Sequence, residues 1–146
     1  MASKKVVIIG GVAGGATAAA RLRRLDEQAH IILIERWEDI SFANCGLPYY
    51  IGGIIQERGK LLVTTPSAMT ARYGLDIRTR TEARRIDPQK KEVELCDFRQ
   101  ETRYVETYDA LILSPGASPI RPPIPGISDP RIFTLRTLPD TDAIKQ

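Results

Sequence analysis

The chain has 146 residues, 42% hydrophobic and 27% charged, with 11 glycines and 10 prolines; this is a folded composition, without collagen-like, mucin-like or strongly disordered bias, and enough chain for one sizeable core. Its most apolar stretches, Val6–Ile9 and Ala110–Leu113, are far too short to cross a bilayer, and the opening Met1-Ala2-Ser3-Lys4-Lys5 leads into nothing like the long apolar segment of a signal peptide. A cytoplasmic protein with no membrane partner is expected. Lys and Arg total 21 against 18 Asp and Glu, a net charge of only +3, and with neither a zinc-finger spacing nor a long basic tail, nucleic acid is not an expected partner.

Lys4–Ile9 reads as a buried strand, because Val6, Val7, Ile8 and Ile9 are apolar and β-branched and glycine ends the run. From Gly14 the period changes to that of a helix, with Ala16, Ala19, Ala20, Leu22 and Leu25 as its apolar positions and Arg21, Arg23 and Arg24 among the exposed ones. Ile31–Ile34 is a second strand, so strand, glycine turn, helix and strand form a βαβ unit with parallel strands. Residues 35–59 carry no clean period and four glycines, and read as a functional loop with short helical turns. Thr65-Pro66 marks an N-cap and a first-turn proline, opening a short helix that runs to about Tyr73 and stops at Gly74. From Leu75, alternation through Ile77, Thr79 and Thr81 predicts a half-buried strand; a turn at Asp87-Pro88-Gln89-Lys90, then Val93, Leu95 and Arg103–Glu106, fill out an antiparallel meander. Tyr108–Ser114 reads as a final buried strand. The prolines at 119, 122, 123, 125, 130 and 139 predict an extended connector, and Asp140–Gln146 begins an element without completing it.

Gly10-Gly11-Val12-Ala13-Gly14-Gly15 follows a strand and opens a helix, the setting a dinucleotide fingerprint requires. Gly10 permits the tight turn, a small residue near the middle admits a pyrophosphate, Gly15 lets helix and strand pack closely, and the phosphate charge sits on free amides at the helix N-terminus. Glu35 stands where a carboxylate accepts hydrogen bonds from an adenosine ribose. Val12 occupies the usual middle glycine, and the pattern by itself leaves FAD and NAD equally open. Cys45, in Ser41-Phe42-Ala43-Asn44-Cys45-Gly46-Leu47-Pro48-Tyr49-Tyr50, precedes a helical turn near Leu47. A cysteine there has a stabilised thiolate suited to attack on a disulfide or peroxide; the alternative is a small buried hydrophobe. Cys96 falls in the meander, too far along the chain to suggest a structural disulfide, and no metal site is expected.

Taken together, Val6–Gly15, Ser41–Tyr49 with its single cysteine, and Tyr108–Ala117 with Ser114-Pro115-Gly116 resemble the FAD-dependent pyridine nucleotide–disulfide oxidoreductases, and within them the coenzyme A disulfide reductase and NADH oxidase-like branch. The resemblance implies an α/β fold: a Rossmann-like FAD-binding domain with a parallel sheet and a small antiparallel β-meander, here incomplete. It implies that residues 1–118 form the N-terminal portion of a discontinuous FAD-binding domain and that 119–146 form a proline-rich connector toward an NAD(P)H-binding domain outside this chain. FAD would be held by Gly10, Val12, Ala13, Gly14, Gly15, Glu35, Arg36, Ser114, Pro115 and Gly116. Cys45 would be the redox centre, with Asn44 and Ser41 orienting thiol or substrate. Arg21, Arg23, Arg24 and Tyr49 would face the substrate, although a solvated helix face also accounts for the arginines. The implied activity is NAD(P)H-dependent reduction of coenzyme A disulfide or a related disulfide or persulfide by a homodimeric parent. The alternatives are an NADH oxidase or peroxidase that cycles Cys45 through sulfenic acid, and a nucleotide-binding module without catalysis.

Overall fold

The structure is a computed structural model that describes residues 3–146; Met1 and Ala2 of the opening segment lie outside the described residues. The chain divides into two compact units, one formed by the residues up to Phe42 with Thr64–Pro115, the other by Ala43–Val63 with Gly116–Gln146.

In the first unit, β1 (Lys5–Ile9), β2 (His30–Ile34), β3 (Asp76–Arg78) and β7 (Ala110–Leu113) form a parallel sheet in the order β3-β2-β1-β7. The predicted βαβ unit is present, with α1 (Gly14–Leu25) between β1 and β2. Successive residues of β1 and β2 point to opposite faces, and both faces are covered, which is why these strands read as unbroken apolar runs. Val6, Ile8, Ile31 and Leu33 pack with Ala16 and Ala19 of α1 and with Met69 of α3 (Pro66–Tyr73). Val7, Ile32 and Ile34 pack against Val93 and Leu95, which belong to the meander of β4 (Thr81–Asp87), β5 (Glu92–Asp97) and β6 (Thr102–Thr107). The α/β fold with a parallel sheet and an antiparallel meander is therefore as the sequence predicts. Helix α3 also matches: Thr65 Oγ1 accepts from the Ala68 amide at 3.2 Å, and Gly74 closes it in the left-handed conformation.

Three expectations are corrected. The alternating run from Leu75 is two strands in different sheets, broken at Thr79-Arg80, where Arg80 takes a positive φ of 53° and donates its amide to the Trp37 carbonyl. Alternation survives such a corner because it encodes burial on one side, not continuity of a strand. Tyr108–Ser114 yields a four-residue strand, β7, that is half-buried to exposed and lies at the edge of the sheet, with Leu113 58% exposed. Leu25, expected among the apolar positions of α1, is the last residue of that helix and is 66% exposed.

The second unit holds a 3₁₀ turn at Asn44–Gly46, α2 (Leu47–Ile51), a 3₁₀ turn at Arg58–Leu61 and α4 (Leu138–Lys145), with Leu47, Leu61 and Leu138 buried. The stretch read as incomplete after Asp140 belongs to α4. Thr137 and Asp140 cap it reciprocally, Thr137 Oγ1 accepting from the Asp140 amide and Asp140 Oδ2 from the Thr137 amide. Pro139 lies in the first turn, where a missing N–H costs nothing.

Candidate functional site

The glycine turn is built by close backbone approach. Gly10 leaves β1 at φ 96°, donating its amide to the Ile34 carbonyl at 2.8 Å; a Cβ on it would stand 1.9 Å from the Ser114 carbonyl oxygen. A Cβ on Gly15 would stand 1.7 Å from the Gly10 carbonyl oxygen, so the helix can rest on the turn only as glycine. Gly14 faces Ser114, whose Oγ would be 3.0 Å from its Cβ, and the Ser114 amide donates to Ile9 at 2.7 Å. The two stretches, more than a hundred residues apart, thus meet at one end of the sheet. Helix α1 has no side-chain cap and no acid in its first turn, and Ala13 and Gly14 are exposed while Val12 is half-buried. Its first amides have no partner within the helix and its dipole is positive at that end, which suits a pyrophosphate.

Glu35 is buried at 5% exposure, and both of its oxygens are used: Oε2 accepts from the Gly11 amide at 2.7 Å and Oε1 from the Trp37 amide at 3.0 Å. Arg36 turns outward, pairing with Glu82 at 3.2 Å and lying over the Trp37 ring. Of the helix arginines, Arg21 and Arg24 are exposed. Arg23 is spent on backbone: it donates to the carbonyls of Tyr73 at 2.7 Å, Glu27 at 2.7 Å and Gly74 at 3.1 Å, tying together the C-terminal ends of α1 and α3. Ser41 has a positive φ of 46° and donates its amide to the Gly11 carbonyl at 3.0 Å.

In the second unit Cys45 is a free, exposed thiol at the middle of its 3₁₀ turn, and α2 begins at Leu47 where a helical turn is predicted. The turn is fixed by the Gly46 amide donating to Ala43 at 2.9 Å and the Ala43 amide donating to Leu61 at 2.8 Å. Asn44 Oδ1 is buried with no hydrogen-bond partner among the described residues. Tyr49 is 55% exposed. Gly116 has φ 74°, with the end of the Arg136 side chain beside it; Arg136 Nε donates to the Ala117 carbonyl at 3.0 Å. Cys96 is half-buried on β5. No cluster of three or more potential metal ligands exists among the described residues, and no helix there is long and apolar enough to cross a membrane.

The family model for pyridine nucleotide-disulphide oxidoreductases matches residues 4–146. The chain belongs to that family. Coenzyme A disulfide reductase of Staphylococcus aureus is 43% identical over 142 residues, covering 97% of this chain and 32% of the relative. Among solved structures, reduced Bacillus anthracis CoADR-RHD superposes with a TM-score of 0.96 at 56% identity, covering 99% of this chain and 26% of that one. An NAD-dependent persulfide reductase from A. fulgidus superposes with a TM-score of 0.89 at 37% identity, covering 96% and 26%. The chain therefore spans about a third of the length of the curated relatives it matches.

Sequence reasoning missed Gly11 and Trp37, whose amides hold Glu35. Gly11 is also pressed by Ile40, whose Cγ2 would be 2.9 Å from a Cβ. Its position beside Gly10 carries a signal, but only the fold shows which contact excludes a side chain. Also missed were Arg58, Asp142 and Lys145, which hold the elements beside Cys45.

Proposed function

We propose that this chain is the N-terminal part of a cytoplasmic, homodimeric flavoprotein that reduces coenzyme A disulfide, or a related disulfide or persulfide, at the expense of NAD(P)H through Cys45. In this reading residues 1–118 belong to a discontinuous FAD-binding domain and 119–146 lead toward an NAD(P)H-binding domain. The observation that carries it is the exposed, unpaired Cys45 on its own helical turn in a chain 56% identical to a CoADR-RHD structure.

The residues present suit FAD. The cradle formed by Gly10, Gly14, Gly15 and Ser114 is one that side chains would fill, and the uncapped first turn of α1, entered through Val12 and Ala13, offers free amides to the pyrophosphate. Glu35 keeps further lone pairs for ribose hydroxyls, Arg36 flanks it, and Ser114, Pro115 and Gly116 complete the set. Cys45 as thiolate attacks one sulfur of the substrate, releasing one thiolate and leaving the other half in a mixed disulfide. FAD held by these residues would supply the electron pair, drawn from NAD(P)H, for cleavage of this mixed disulfide and release of the second thiol. The balance is one NAD(P)H, one proton and one disulfide giving NAD(P)⁺ and two thiols. Asn44, with its unsatisfied amide oxygen, and Ser41 orient the thiol or substrate, Tyr49 lines the approach, and Arg21 and Arg24 attract an anionic substrate, while Arg23 holds the helix that carries them.

The test is an absorbance spectrum of the purified chain before and after incubation with FAD and desalting, followed by thiol titration. A flavin band after incubation, and a Cys45 that forms a mixed disulfide with coenzyme A disulfide, are expected. A reactive Cys45 consuming peroxide without thiol release would replace the disulfide reading with an oxidase or peroxidase. An inert Cys45 would leave a nucleotide-binding module.

A further inference from the structure

Helix α2 has five residues, too few to be stable alone, and directly follows the 3₁₀ turn that carries Cys45. What holds it is α4, nearly a hundred residues further along. Lys145 Nζ donates to the Tyr50 carbonyl at 2.8 Å, in the last turn of α2, and stands 3.6 Å from the centroid of the Tyr50 ring. One turn earlier on α4, Asp142 receives Arg58 Nε in both carboxylate oxygens at 3.0 Å. Arg58 opens the 3₁₀ turn whose Leu61 carbonyl accepts from the Ala43 amide, and the Leu61 side chain lies against Gly46. One side of α4 therefore grips both elements that adjoin Cys45, the helix that follows it and the turn that supports it. Leu138 and Thr141, both buried, anchor α4 itself.

We propose that Lys145 and Asp142 are positioning residues for Cys45, acting through Tyr50 and Arg58. The inference rests on the reading of Cys45 as the redox centre. An attacking thiolate must meet the disulfide in alignment, and a displacement of about 1 Å costs up to about a hundredfold in rate; a reacting group keeps such geometry only if its supporting shell is fixed. Arg58 and Asp142 side chains are each 38% exposed, so their pairing adds little to overall stability. What it sets is local orientation, and that separates positioning from folding.

The test uses the chain with Cys96→Ser, leaving Cys45 as the only thiol, and follows Cys45 adduct formation by mass spectrometry. Two probes are compared, the bulky coenzyme A disulfide and the small 2-hydroxyethyl disulfide, in the parent and in K145M, K145R and D142N. K145M and D142N are expected to slow the reaction with coenzyme A disulfide by about tenfold and with the small probe much less, at a parental melting midpoint, with K145R restoring the parental ratio. General loosening would move both rates together. The proposal is overturned if K145M and D142N keep the parental ratio, or if K145R behaves as K145M. Should a single variant fail to fold, the exchanged pair R58D/D142R replaces it, and failure to restore the ratio overturns the proposal. A parental Cys45 inert to both probes overturns the redox reading, and the positioning role with it; a reactive Cys45 with an unchanged ratio overturns positioning alone.

Discussion

Gly10 and Gly15 shape the glycine turn through what they lack. A side chain at Gly15 would press the Gly10 carbonyl at 1.7 Å, and backbone on both sides leaves nothing flexible to yield. Gly15→Ala is accordingly expected to cost about 3 kcal/mol, read as a lowered urea midpoint, whereas Gly59→Ala, which meets nothing within 4 Å, should stay within about 0.5 kcal/mol of the parent. Equal effects at the two positions would refute the close-packing account. Glu35 acts differently: its carboxylate accepts two backbone N–H groups in a buried setting. Glu35→Gln would turn an NH₂ toward one of those donors, leaving a buried group unsatisfied at about 1–3 kcal/mol. Calorimetry of ADP binding should show weaker affinity in the same variant.

Elements are joined by a few charged side chains, and these joints are the features that periodicity does not encode. Arg23 links the ends of α1 and α3 by four carbonyl contacts, so Arg23→Met should lower the melting midpoint more than Arg21→Met or Arg24→Met, which are exposed. Lys5 of β1, Arg78 of β3 and Glu106 of β6 form a chain that stitches the parallel sheet to the meander, with both cations 2.8 Å from Glu106. Burial opposes ionisation of Glu106, but the hydrogen bonds from Lys5 and Arg78 outweigh it and hold the carboxyl below its ordinary value of 4.5. Because the folded value is the lower one, this stability is present above pH 4.5 and is lost as the pH falls through the folded value. Glu106→Gln should therefore melt lower than the parent at neutral pH, and the gap should close in acid. A gap that persists in acid would assign the loss to packing. The break at Arg80 belongs to this scale as well: at the corner Arg80 donates its amide to the Trp37 carbonyl and accepts from the Phe98 amide, both far from it in sequence.

At the scale of the molecule, the chain covers about a third of its curated relatives, and β7 forms an edge with Leu113 more than half exposed. The glycine turn, Glu35 and Ser114 that we propose for the ADP part of FAD lie in the first unit, and a discontinuous FAD-binding domain, as the resemblance implies, would complete the flavin site in a further segment. The 146-residue chain is therefore expected to lose FAD on gel filtration, and a longer chain carrying that segment to keep it, as read by the ratio of flavin to protein absorbance. Tight retention by the short chain would show that the glycine turn, Glu35 and Ser114 suffice.

Much of this was legible in the residues alone. The βαβ unit, helix α3 with its Thr65 cap, the meander and the glycine turn all follow from local causes: period, β-branching, capping chemistry and the steric freedom of glycine. The family followed from three motifs, and a helical turn near Leu47 was expected where α2 begins. What only the tertiary structure decided was every relation between distant residues: that Ser114 closes on Gly10, that Gly11 and Trp37 hold Glu35, that Arg23 serves as a brace, and that α4 grips the elements around Cys45. A long arginine, lysine or aspartate side chain looks the same in sequence whether solvated or paired. Its role is set by the geometry of partners that the chain brings near only when its apolar faces have found each other.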